Sequence, residues 1–295
     1  MRSEKKSISN ATREPTLRGF HQEVMRLQKT RGLNVRNEVY GRFGPNAIWN
    51  MDQVPFAFVR GNRKSYNLKN SFCWVKNQGP SGIEKRMCTI VMTLRAYGAQ
   101  LVKPFILFKG RGQLSKELIA ELDAEGIPYG FNEKGYSNGR SSIEYLQYFK
   151  GIVAKHEPDI KEHLLYLDNF GPQASSTFID LAMDMDIYPV YFPPNCTHLV
   201  QPVDHRIAAW VKQFIGELYK VDQAILDDEW TRYRITKTLT DQVFRQTCLL
   251  WMATMCKHLE MMSEFILSSF LSTGCLIPLD GKHAIYFKDI REYSF

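Results

Sequence analysis

Long apolar runs are missing from this chain of 295 residues. None approaches the roughly 18 residues that span a membrane. The polar start M-R-S-E-K-K also lacks the apolar centre of a signal peptide. We therefore expect a soluble intracellular protein with no membrane partner. Internal repeats and low-complexity segments are missing too, and the length suits one large domain or two small ones.

The cysteine pattern excludes two further kinds of protein. The cysteines do not form the C-x-x-C pairs of a zinc site, and a chain of this size does not need a disulfide framework. We expect them to be reduced and packed as small apolar residues. The six cysteines are Cys73, Cys88, Cys196, Cys248, Cys256 and Cys275.

The glycine-rich segment K-G-R-G-Q at 109–113 lacks the spacing and the terminal Lys-Ser/Thr of a phosphate-binding P-loop.

Positive charge is concentrated at the N-terminal end. The net charge is +7, and residues 1–46 contain ten basic and four acidic residues, nearly all of the excess. Such a basic arm suits a polyanion such as nucleic acid, and it equally suits a solvated, solubilising tail. Within the arm, residues 15–30 have the spacing of a short amphipathic helix, with Pro15 suited to the first helical position. A helix-turn-helix would need at least two or three such units, so we expect no complete reader of this kind within residues 1–46.

The apolar pattern beyond the arm predicts a mixed α/β sheet flanked by helices, with parallel pairing at the crossovers. We divide the chain into a basic arm at 1–46, a core at 47–226 and a helical extension at 227–295. Strand patterns occupy 48–58, 71–76, 88–96, 101–108, 163–167 and 187–192. Helical patterns occupy 114–125, 142–156, 172–185, 204–226, 238–256 and 259–271.

Three aspartates carry the strongest functional signal. Asp52 and Asp168 each follow an apolar, strand-like run, and Asp204 opens a helix-like run after a proline-rich loop. Strand ends and helix starts can bring distant side chains together, and three converging carboxylates repel one another unless a cation lies between them. Magnesium takes oxygen ligands, and paired ions clamp both oxygens of a phosphoryl displacement. The pattern indicates cutting or joining of a nucleic-acid backbone, although each aspartate alone could be a turn residue or a helix N-cap.

The local motifs resemble the DDE endonuclease domain of pogo, Tigger and jerky-type transposases, a family that includes centromere protein B. The shared segments are N-M-D-Q at 50–53, L-D-N at 167–169, P-P-N-C-T-H-L-V-Q-P-V-D at 193–204 and F-L-S-T-G-C-L-I-P at 270–278. The resemblance covers roughly residues 45–280 and implies a ribonuclease-H-like fold. It also implies metal-dependent DNA cleavage and strand transfer in the nucleus. The DNA partners would be transposon ends and target, and a homodimer is allowed.

The resemblance also implies residue roles. Asp52 would bridge two Mg²⁺ or Mn²⁺ ions, Asp168 would bind one of them, and Asp204 would bind the other. One ion would activate water or a 3′-hydroxyl, and the other would steady the leaving oxygen. Candidate nucleic-acid contacts are Lys109, Arg111, Asn169, His205, Arg206 and Lys212.

Three departures from the family motifs support an alternative. Gln53 stands where the family commonly has Glu, Gln173 stands where a His is expected, and His205-Arg206 replaces a common Gln-Gly. None of them removes a metal ligand. The alternative is a catalytically inactive, domesticated or decayed transposase that binds DNA or protein. Lesser alternatives are a zinc site at His198 and His205 and a nuclease that acts on RNA–DNA hybrids.

Overall fold

The computed structural model describes residues 10–57, 87–110, 114–133, 138–169, 171–222, 225, 228, 241–280, 284–287 and 290–294. The expected strand at 71–76 and the candidate contact Arg111 lie outside these residues.

A mixed sheet of six strands forms the centre of the described chain. Its strands are β1 (Ile48–Ala57), β2 (Met87–Arg95), β3 (Phe105–Lys109), β4 (Tyr129–Asn132), β5 (His163–Leu167) and β6 (Ile187–Tyr191). Their order across the sheet is β4-β3-β2-β1-β5-β6. β1, β2 and β3 form an antiparallel meander, while β4 pairs parallel with β3, β5 with β1 and β6 with β5. The expected mixed sheet, with parallel pairing where helices cross over, is confirmed.

Helices cover both faces of this sheet. They are α1 (Asn10–Lys29), α2 (Lys116–Glu125), α3 (Gly139–His156), α4 (Ser176–Asp184), α5 (Thr197–Val200), α6 (Ala208–Val221), α7 (Asp241–Glu260) and α8 (Ser263–Ser272). Side-chain caps fix several starts, because Ser115 accepts from the Leu118 amide and Ser175 accepts from the Phe178 amide. A five-residue π-helical turn, Val203–Ile207, joins α5 to α6.

The strand period divides the core into two layers. On β1, Ile48 and Val54 face a large layer that also contains apolar residues of α1, α6, α7 and α8. Trp49 and Met51 face the opposite layer, which contains residues of α3 and α4. Successive strand side chains point to opposite faces, so Asn50 and Asp52 belong to the first layer.

Several sequence expectations differ from the observed elements. Helix α1 begins at Asn10, so Pro15 lies inside it; the expectation that Pro15 opens the helix is wrong. The long helix expected from Asp204 starts as the π-helical turn and only then becomes α6. Strand β4 was not expected. Beyond α7 and α8, the last segment also holds a two-stranded antiparallel sheet, β7 (Ala284–Phe287) and β8 (Ile290–Ser294).

A buried ion pair fastens the N-terminal segment to the sheet. The Glu162 carboxylate, fully buried just before β5, accepts from Arg42 Nε at 2.9 Å, Arg42 Nη2 at 2.6 Å and the Leu33 amide at 2.7 Å. The Arg42 guanidinium lies 4.1 Å from the centre of the Tyr188 ring. Because its hydrogen bonds come from a cation and a backbone amide, the buried charge is satisfied.

Gly32 gives a direct test of this anchor. A Cβ atom at Gly32 would lie far inside contact distance of Glu162 Oε1 and Arg42 Nε, whereas one at Gly19 would meet nothing within 4 Å. We expect Gly32→Ala to lower the free energy of unfolding by about 2–4 kcal/mol, because it overpacks and disturbs a buried pair. Gly19→Ala on the exposed side of α1 should be neutral or stabilise by up to about 1 kcal/mol. Urea denaturation of both variants measures this, and equal stabilities would contradict it.

Candidate active site

Asp52 and Asp168 lie side by side on neighbouring parallel strands. Met51 of β1 is paired with Leu167 of β5, the last residue of that strand, so the next position on each chain is an aspartate. Adjacent strands are separated by about 4.8 Å. Asp52 is partly buried and Asp168 is exposed. The two carboxylates therefore leave the sheet on the same face and at the same level.

Asp204 reaches this face on the π-helical turn. Val203 and Ile207 of the turn are fully buried in the first core layer, while Asp204 between them is exposed. The loop before the turn bends at Asn195, whose φ of 60° lies in the left-handed region that Asn tolerates. Single π-helical turns are rare and are often found at functional sites.

The side chain of Asn50 connects the three segments that carry the aspartates. Asn50 is fully buried on β1, two residues before Asp52. Its Oδ1 accepts from the Val203 amide at 3.0 Å, and its Nδ2 donates to the Tyr166 carbonyl at 3.2 Å. Val203 precedes Asp204, and Tyr166 lies two residues before Asp168. One amide group thus fixes the π-helical turn and β5 against β1.

The three carboxylates influence one another electrostatically. Burial raises the pKa of Asp52 from its ordinary 3.8 to about 6, and the nearby Asp204 and Asp168 charges add to the rise. Burial also raises the pKa of Asp204, Lys212 and His198 oppose the rise, and Asp168 adds to it. Like charges held close together favour protonation. A cation among them would relieve this repulsion.

Backbone amides orient two of the carboxylates in the same way. The Gln53 amide donates to Asp52 Oδ1 at 2.7 Å, and the Asn169 amide donates to Asp168 Oδ1 at 2.8 Å. Each bond comes from the next residue in the chain. It therefore restrains the carboxylate without a contact to any distant segment of the chain.

Gln201 is a further polar residue of the site. It is buried next to the proline that precedes the π-helical turn, and its amide lies close enough to Asp52 to lower the pKa of that carboxyl. Its Nε2 has no partner with hydrogen-bond geometry in the described part of the chain. Buried amides are normally paired. A buried donor beside Asp52 is therefore available to that carboxylate after a small side-chain movement.

The donor set fits a hard divalent cation, since all three side chains offer carboxylate oxygens. Among the described residues, no group of three or more His, Cys, Asp or Glu side chains is already spaced to hold a metal ion. The observed arrangement is thus a shared face with mutual charge repulsion.

The candidate nucleic-acid contacts occupy different places. Asn169 is exposed beside Asp168, and Lys212 is exposed on α6, near enough to lower the Asp204 pKa. His205 and Arg206 reach toward α8, with contacts of 3.5 Å to Ser272 and Ser268.

Lys109 is exposed at the far end of β3. Asp52 is paired with Met92 on β2, and the preceding residue, Val91, is paired with Phe105 on β3. Lys109 therefore lies five residues beyond the level of Asp52, which is roughly 16 Å along the strand direction.

Sequence reasoning did not single out Asn50 and Gln201 as site residues. Both were inside the quoted motifs, N-M-D-Q and Q-P-V-D. A usable signal was present at Asn50, because Asn is depleted in strands and here interrupts an apolar run. Gln173, read as a replaced His, is buried, and its backbone carbonyl accepts from the Tyr191 hydroxyl at 2.6 Å.

Comparison with known proteins gives one family match. The model of the family described as DDE superfamily endonuclease matches residues 85–244, just over half of the chain. The match includes Asp168 and Asp204 and begins after Asp52. A curated relative, the MFS-type transporter clz9 of Cochliobolus lunatus, is 24% identical over 116 residues, which are 39% of this chain and 12% of that protein. None of the helices in the described ranges is both long and apolar enough to cross a membrane.

Solved structures of a transposase are also similar. In a pre-cleavage Mos1 transpososome, the match is 11% identical with a TM-score of 0.45, and it covers 89% of this chain and 64% of that one. The catalytic domain of Mos1 mariner transposase is 11% identical with a TM-score of 0.44, with 92% and 94% covered. The chain therefore spans less than two thirds of the transposase chain in the transpososome.

Removing the Asn50 amide should loosen the site. In Asn50→Ala, the Val203 amide and the Tyr166 carbonyl lose a buried partner, so we expect the free energy of unfolding to fall by about 2–3 kcal/mol. Gln53→Ala is the matched control, because its described hydrogen bond comes from the backbone, and we expect a change within about 0.5 kcal/mol. Thermal and urea unfolding measure both. Equal stability of the two variants would show that the Asn50 side chain does not hold the π-helical turn and β5 against β1.

The raised Asp52 pKa predicts a pH dependence of the metal-free protein. A folded-state pKa of about 6 against an ordinary 3.8 means that the folded state holds this proton more tightly. The stabilisation that comes from this bound proton is complete below pH 4 and is lost as the pH rises through 6. The full shift corresponds to about 3 kcal/mol, and partial exposure reduces our expectation to about 1–2 kcal/mol.

Asp52→Asn cannot ionise, so with EDTA present it should be the more stable protein at pH 8 and should lose this advantage toward pH 4. Unfolding by urea across this pH range measures the difference. Asp159→Asn, at an exposed loop position, is the control. Parallel pH curves for Asp52→Asn and the unsubstituted chain would refute the assignment.

Proposed function

The chain belongs to the DDE superfamily endonuclease family, and from this premise we propose that it cuts DNA and transfers the freed strand in a divalent-metal-dependent, transposase-type reaction. The proposal is carried by the arrangement of Asp52, Asp168 and Asp204 around the Asn50 amide. The three lie on one face of the sheet. Burial raises the pKa of Asp52 and of Asp204, and the nearby Asp168 charge adds to both rises. Carboxyl groups whose pKa is raised by burial and by a specific charged neighbour are typical of functional sites.

Asp52, Asp168 and Asp204 would hold one or two Mg²⁺ or Mn²⁺ ions. Asp168 and Asp204 are exposed, so staggered rotations of their side chains can bring them toward the restrained Asp52. When bound, such ions supply activation of the attacking oxygen and charge stabilisation at the leaving oxygen.

The chain's own groups have the task of positioning. The Gln53 amide holds Asp52 Oδ1 at 2.7 Å, and the buried Gln201 amide is a further donor beside that carboxylate. Asn50 keeps the π-helical turn and β5 in register. Groups held in place before the substrate arrives need no reorganisation during the reaction, and this favours the transition state.

DNA is the proposed substrate and partner. Asn169 and Lys212 lie on the aspartate side and can contact phosphate oxygens, and Arg206 adds a positive charge next to Asp204. Phosphate contacts of this kind fix the position of the backbone without reading sequence. Because the substrate is DNA, we place the activity in the nucleus.

Substitution of one carboxylate tests the reaction. Asp168→Asn keeps the size of the side chain and removes its charge, so we expect Mg²⁺-dependent nicking of supercoiled plasmid DNA to fall by at least about a hundredfold. The melting temperature should stay close to that of the unsubstituted chain, because Asp168 is exposed. Asp159→Asn is the matched control and should nick normally.

The same assay separates the alternatives. Retained nicking by Asp168→Asn would remove this residue from the site. If the unsubstituted chain binds DNA in a gel-shift assay but does not nick it with Mg²⁺ or Mn²⁺, the enzymatic proposal fails. In that case the inactive DNA-binding descendant, which Gln53 already favours, takes its place.

A further inference from the structure

A loop between α1 and β1 presents an unusual amount of apolar surface. Within seven residues it exposes 64% of Leu33, 94% of Val35 and 51% of Val39. Isolated exposed apolar side chains are common on protein surfaces. Three such residues lie on one short loop here, and concentrated apolar surface often marks contact sites with other proteins.

Hydrogen bonds hold the backbone of this loop in place. Asn34 Oδ1 accepts from the Lys161 and Glu162 amides at 2.8 and 3.1 Å, and its Nδ2 donates to the Glu162 carbonyl at 2.8 Å. The Asn37 side chain accepts from the Val39 amide at 3.0 Å. A preordered loop loses little conformational freedom when it binds.

An apolar groove opens next to the loop. It has a volume of about 560 Å³ and lies between α1, α4 and β6. Strand β6 is an edge strand with β5 as its neighbour in the sheet. The Arg42 guanidinium at the base of the loop covers the Tyr188 ring at the near end of the groove. Residues that line the groove include Phe20, Leu27, Ile179, Met183, Tyr188 and Val190.

The two surfaces carry opposite charges. The loop and its base hold Lys29, Arg31 and Arg36 against one acid, Glu38, all of them exposed. On α4, Asp180 and Asp184 follow the lining residues Ile179 and Met183 and form the adjacent row of the helix surface. Arg31, Asp180 and Asp184 have no ion-pair partner among the residues that the structure describes.

We propose that the loop at 31–39 inserts into the groove of a second copy of this chain, and that the groove of the first copy receives the loop of the second. Because the loop directly follows α1, which lines the groove, a two-fold axis can pair both at once, which is the usual symmetry of homodimers. The basic loop then faces the acidic row of α4, and the exposed apolar side chains leave water. This interface is independent of the proposed catalysis.

The first test measures the oligomeric state of the full chain by sedimentation velocity over a wide range of protein concentration. We expect a reversible dimer, and Val35→Asp should raise its dissociation constant by about tenfold or more, because it places a charge in the buried centre. Val221→Asp is the control, since Val221 is 79% exposed at the end of α6, and it should leave dimerisation unchanged. Circular dichroism checks that each variant is folded.

The second test exchanges the charges. Arg31→Glu with Arg36→Glu gives a chain that is acidic on both surfaces, and Asp180→Lys with Asp184→Lys gives one that is basic on both. Each should be monomeric alone, and an equimolar mixture should form heterodimers, because every contact is again between opposite charges.

Three outcomes overturn the proposal. They are a monomer at all concentrations, a dimer that Val35→Asp does not weaken, and a mixture of the charge variants that fails to associate. The first of these would mean that another protein, or another part of this chain, covers the loop.

Discussion

The arrangement of the candidate site depends on one buried amide group. Asn50 lies inside an apolar layer, where an unpaired polar group would cost free energy. Its oxygen and nitrogen are both satisfied, by Val203 and by Tyr166, so the cost is small in one relative placement of the segments and large in any other. An apolar residue could fill the same volume, but it could not define where the π-helical turn sits against the sheet.

The C-terminal segment supports this turn from the other side. The Ser269 hydroxyl on α8 donates to the Pro202 carbonyl at 2.7 Å, and the Tyr166 hydroxyl on β5 donates to the Cys275 carbonyl at 2.9 Å. Both contacts are buried. Residues after α8 therefore pack against the segments that carry Asp168 and Asp204, and α7 and α8 belong to the same core as the sheet.

The site is held at an energetic cost that other parts of the fold offset. A partly buried Asp52 with two carboxylates near it resists ionisation. The Glu162–Arg42 pair and the large apolar layer stabilise the segments that carry the aspartates.

Local pattern in the sequence predicted most elements and singled out the three aspartates. Strand β5 was predicted to the residue, and β1 and β2 to within one or two, because apolar runs and flanking turns are local signals. Strand β4 was missed because four half-buried residues with a glycine give almost no pattern. The start of α1 was predicted at Pro15 because proline favours the first helical position, but the helix already begins at Asn10.

Only the tertiary structure decided which residues surround the acids. The register that sets Met51 opposite Leu167 and the bond from Asn50 to a residue 153 positions away arise from pairing between distant segments. The sequence of each segment alone carries no record of that pairing. The same holds for Gln201 beside Asp52 and for the loop beside the groove.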